Sequence, residues 1–139
     1  PDNPLIGPMA NLYLNPPIAA HRGENRDSSR LAKAIDLFDR NHLEEATPLF
    51  TQTAANDSLQ NISNRYLAHI YLRTNRLLEA DSLFATVEKN PPFQQEAIYH
   101  RMVIALLQHN KEDATALFNL MDKTQFSEVQ VEKVEKWLR

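Results

Sequence analysis

Three residue types recur along the chain at a fixed spacing of 34 residues. The recurring positions are Ala46, Leu49 and Phe50, then Ala80, Leu83 and Phe84, then Ala114, Leu117 and Phe118. A fixed period of this length indicates stacked supersecondary units, because one unit alone cannot bury its apolar face. The small alanine allows two helices to approach closely, and the phenylalanine one turn later fills the space towards the next unit. The recurrence therefore predicts an array of helix pairs.

Helix signals fill the chain between these positions. Glycine is absent from Glu24 onward, and apolar residues return at the helical spacing of i, i+3, i+4 and i+7. Residues 56–58 are expected to supply the N-cap of the third helix, and residues 127–130 form a capping-box pattern. Together with the helix breakers, these signals predict an all-α fold. The seven expected helices lie at about 28–40, 43–55, 58–74, 77–89, 93–109, 111–122 and 127–138.

This pattern resembles the tetratricopeptide repeat (TPR) family over roughly residues 28–124. The second repeat matches best, with family positions at Leu67, Ala68, Tyr71, Ala80, Phe84 and Pro92. Lys33 departs from the family, because its position is usually apolar. The third repeat also departs: its inter-helix turn is expected to be one residue short, with a first-helix core of Tyr99, Met102, Val103 and Leu106. The resemblance implies a right-handed α-α superhelix of about three TPR helix pairs plus a C-terminal capping helix.

The first 27 residues differ from the rest and contain five of the eight prolines and both glycines. We expect two regions, a Pro-rich arm or tether over residues 1–27 and a TPR-like domain over residues 28–139. Apolar residues such as Leu12 and Tyr13 leave open whether this arm packs on the helices. The layout resembles membrane-tethered bacterial TPR proteins, which implies the soluble part of a membrane-anchored protein, with the periplasmic side as one candidate location. No stretch reaches the roughly 18–20 apolar residues of a membrane span, so we expect no direct insertion by this segment.

Several function classes lack their characteristic residues. The formal net charge is −3, without a basic stripe, so we expect no nucleic-acid partner. Cysteine is absent, and His69 and His100 without a third ligand would make a poor zinc site. The acidic pairs 44–45 and 112–113 fall in first turns of predicted helices, where they favour the helix dipole. We therefore expect no catalytic residue, no metal, no cofactor and no enzymatic activity.

The TPR resemblance places the first helix of each repeat along a concave groove. The implied partner-binding residues are Leu31, Ile35, Phe38, Asp39, Ile62, Arg65, His69, Leu72, Arg73, His100, Ile104, Leu107 and Gln108. Such a groove is apolar at one end, with a basic edge from Arg65 and Arg73, and suits a peptide with apolar side chains and an acidic group. Leu31 and Ile35 stand where chaperone-binding TPR domains hold a terminal carboxylate, so we expect no chaperone-tail binding.

Two functions follow from this groove. The first is a protein–protein interaction module or scaffold that binds a protein or peptide. The alternative is a structural or self-association domain whose groove is covered by its own N-terminal arm or by a second copy, which would make a homo-oligomer.

Overall fold

The computed structural model describes residues 26–139, and this part of the chain is all-α, with no strand. Its seven α-helices are α1 (Arg26–Asp39), α2 (Leu43–Ala54), α3 (Gln60–Arg73), α4 (Leu77–Val87), α5 (Gln94–Leu107), α6 (Lys111–Leu120) and α7 (Glu128–Leu138). Short 3-10 turns cover Pro91–Phe93 and Lys123–Gln125. The all-α prediction is confirmed, and each helix ends within about two residues of its expected limits. The predicted arm lies outside the described residues, except for Arg26 and Asp27 at the start of α1.

The chain divides into two compact units, Pro1–Leu83 and Phe84–Arg139, the first being described from Arg26 onward. In the first unit α2 packs against both α1 and α3. In the second unit α6 packs against both α5 and α7, and the Pro91–Phe93 turn packs on α5. Helix α4 contributes residues to both units.

Three inter-helix turns have the same backbone conformation at the same spacing. Asn41, Asn75 and His109 all have left-handed φ angles, of 64°, 63° and 59°. In the first turn the Asn41 N–H donates to the carbonyl of Phe38 and the His42 N–H donates to that of Leu37. The same pair of bonds recurs 34 and 68 residues later. This is the Schellman arrangement, which satisfies carbonyls at the end of a helix.

The third turn is therefore as long as the other two, and the expectation that it is one residue short is wrong. That expectation assumed a single apolar stripe on α5. Tyr99, Met102 and Val103 are buried as expected and Leu106 is half-buried, but Ile98, Ile104 and Ala105 are buried as well. Because α5 is buried on more than one face, its apolar residues do not require a shorter turn.

Aromatic rings form the centre of the first unit. The Tyr66 ring stacks on Phe50, with centroids 4.9 Å apart, and meets the Phe38 ring edge-on at 5.1 Å. The surrounding buried residues are Leu31, Ala34, Ile35, Ala46, Leu59, Ile62, Leu67 and Ile70. The recurring alanines at 46, 80 and 114 and the phenylalanines at 50, 84 and 118 are all buried. The residues that define the sequence repeat are therefore core residues.

The connection from α2 to α3 contains a buried polar contact. The Thr53 hydroxyl donates to the Phe50 carbonyl, and its oxygen lies 2.6 Å from the Ser63 hydroxyl, with both residues fully buried. The expected N-cap at residues 56–58 is wrong: the N-cap residue is Leu59, which makes no side-chain bond. Asn56 Oδ1 instead accepts from the backbone N–H and the hydroxyl of Ser58, so a turn precedes the helix.

The capping box before α7 is confirmed. Ser127 Oγ accepts from the Gln130 N–H at 3.2 Å, and Gln130 Oε1 accepts from the Ser127 N–H at 3.1 Å. These bonds satisfy two backbone donors at the helix start. Val134 is the buried residue of α7, whereas Val131 and Leu138 are half-buried and Trp137 is exposed. Helix α7 therefore packs on the second unit through a narrow apolar face.

Candidate functional site

The predicted groove residues lie on α1 and α3 of the first unit and at α5 of the second. Nine of the thirteen are buried, namely Leu31, Ile35, Phe38, Ile62, Arg65, His69, Leu72, His100 and Ile104. Arg73 and Leu107 are half-buried, and Asp39 and Gln108 are exposed. The side chains that a ligand could reach directly are therefore mainly polar, although the groove was expected to be apolar at one end.

Within the first unit, α1 and α3 bring Phe38 and Arg73 together. The Arg73 guanidinium carbon lies 4.5 Å from the centroid of the Phe38 ring, a distance suited to a cation–π interaction. The Arg65 guanidinium lies over the Tyr66 ring at 5.9 Å. We call Phe38, Tyr66, Arg65 and Arg73 the cation–aromatic cluster. Both arginines of the expected basic edge thus lie against aromatic rings.

Asp39 is the exposed acidic residue beside this cluster. Partial burial and the negative charge of Asp36 raise the pKa of the Asp39 carboxyl above its ordinary value of 3.8. The positive charge of Arg73 acts in the opposite direction without cancelling the rise. Ionised Asp39 is therefore less favourable in the folded chain than in the unfolded chain, and its charge is not fully compensated by Arg73.

In the second unit, His100 is a fully buried aromatic residue of the core. Its ring stacks on Phe84, with centroids 5.2 Å apart and planes 11° from parallel, and meets the edge of Tyr99. His100 Nδ1 lies 2.8 Å from the Glu96 carbonyl oxygen. Because a carbonyl only accepts, Nδ1 carries the hydrogen in this contact. The packing thus fixes both the plane and the Nδ1 hydrogen of this side chain.

The described residues offer no arrangement suited to holding a metal ion. Within residues 26–139 no group of three or more His, Cys, Asp or Glu side chains has the required proximity. None of the helices in this range is long and apolar enough to cross a bilayer.

An open cavity of about 670 Å³ lies in the second unit and was missed by sequence reasoning. It lies between the Lys123–Gln125 turn and the first turns of α7. Its lining residues are Lys123, Thr124, Phe126, Ser127, Glu128, Val131 and Glu132. The capping-box pattern located the start of α7, but no sequence signal shows how the preceding turn lies against that helix.

Sequence reasoning also missed the contact between Arg73 and Phe38. The two residues are 35 positions apart, and neither belongs to a recognisable motif. The resemblance placed both on the groove without predicting that one covers the other.

Comparison of the chain with models of protein families, with curated proteins and with solved structures gives no match. The resemblance to TPR proteins therefore stays a prediction that depends on the chain's own residues.

Proposed function

We propose that this chain is a TPR-type helical-repeat protein that binds a protein or peptide partner and catalyses no reaction. The observation that carries the proposal is the recurrence of one turn at 34-residue spacing, with left-handed Asn41, Asn75 and His109 and the same backbone bonds. The burial of the recurring alanines and phenylalanines supports the same interpretation. In this proposal the helix pairs stack into a right-handed superhelix, and α7 caps the array.

The proposed ligand is an extended or helical peptide that binds along the first helices of the repeats. Its first contacts would be with the accessible predicted residues: Asp39, Arg73, Leu107 and Gln108. Arg73 offers a guanidinium for an acidic group of the peptide. Apolar side chains of the peptide would pack near Phe38 only where Arg73 moves away from the ring.

A second candidate function is favoured by the burial of nine of the thirteen predicted residues, among them Leu31, Ile35 and Phe38. In this candidate the groove is not open, and its cover is the chain's own N-terminal arm or a second copy. The protein would then be a structural or self-association domain.

A truncation separates the two candidates. Residues 1–139 would be compared with a chain starting at Arg26, by light scattering and thermal melting. A lower melting temperature or self-association of the shorter chain supports coverage by the arm, and a dimeric full-length chain supports coverage by a second copy. Two monomers with the same melting temperature contradict both forms of the second candidate.

Groove binding is tested with the full-length chain and two variants. Arg73→Glu reverses a charge on α3, whereas the matched control Leu78→Ser changes a side chain on α4 that is 76% exposed. A partner captured by the wild-type chain should be lost by Arg73→Glu and kept by Leu78→Ser. The proposal is contradicted where Arg73→Glu keeps the partner or where Leu78→Ser loses it.

A further inference from the structure

We draw no further inference here: the strongest candidate, the open cavity between the Lys123–Gln125 turn and the first turns of α7, has an apolar floor beside two exposed glutamates, but nothing in the structure shows what covers it.

Discussion

The left-handed turn at His109 predicts that glycine and alanine exchange their usual order of stability there. His109 is exposed and has a φ of 59°. The left-handed region costs a residue with a Cβ roughly 1–2 kcal/mol, and glycine avoids this cost. Glycine loses roughly 0.5–1 kcal/mol more chain entropy on folding than alanine does. We therefore expect His109→Gly to be more stable than His109→Ala by about 0.5–1 kcal/mol.

Ala116 supplies the matched control, because it is exposed in the middle of α6 in the same unit. Ala116→Gly should cost about 1 kcal/mol, the ordinary penalty for glycine inside a helix. The difference between glycine and alanine is thus expected to have opposite signs at the two positions. Both comparisons exclude effects of the histidine side chain, since His109→Ala is the reference at the turn.

Urea unfolding followed by tryptophan fluorescence suits this test. The single tryptophan, Trp137, lies in α7 of the unit that contains both substitutions. A change of 0.5–1 kcal/mol corresponds to a shift in melting temperature of roughly 2–8 °C for a unit of this size. Lower stability of His109→Gly than of His109→Ala would refute a left-handed backbone at this position. The third turn would then differ from those at Asn41 and Asn75, and the repeat would lose its structural support.

Three further predictions concern the first unit. Thr53→Val should lower the free energy of unfolding by about 1–3 kcal/mol, since the buried hydroxyl of Ser63 loses its partner. Adding Ser63→Ala should cost less than the two single losses predict, and additive losses would contradict this coupling. Phe50→Ala should cost about 3–5 kcal/mol in urea unfolding, because its ring is fully buried. Leu78→Ala should stay within about 0.5 kcal/mol, and equal losses at the two sites would show that the burial is wrong. Asp39→Asn should raise stability at pH 7, because ionisation opposes folding where the folded pKa is raised above 3.8. This gain should disappear below about pH 3, and a gain that persists there would contradict the proposed cause.

The helices could be predicted from the sequence because their limits depend on neighbouring residues. Ser127 and Gln130 form both bonds of the capping box that their spacing predicts. The same local reasoning was wrong at Asn56, which has several ways to satisfy nearby donors. Its side chain bonds Ser58 and Asp27 instead of capping α3. Short polar side chains thus mark a helix boundary more reliably than they identify the capping residue.

The candidate site depends on contacts between distant residues, so the sequence predicted it less well. Arg65 and His69 are separated by one helical turn on α3, and polar residues at that spacing usually mark a solvent-facing stripe. Both are buried, with exposed fractions of 3% and 0%. Burying such side chains is costly unless they are hydrogen-bonded or paired, so their positions depend on what packs outside α3. Periodicity within one helix contains no information about that packing.

The burial of Leu31, Ile35 and Phe38 also limits how tightly an external partner could bind in the groove. A partner that packs on these side chains must first expose them, at about 1.5–3 kcal/mol for each residue. Full exposure of all three would cost roughly 5–9 kcal/mol, which weakens binding by about 10³- to 10⁶-fold. This is an upper bound, because Phe38 would keep its contact with Tyr66. If the N-terminal arm provides the burial, removing it should recover most of that factor. An affinity that stays constant after truncation would instead place the binding contacts at exposed residues such as Asp39.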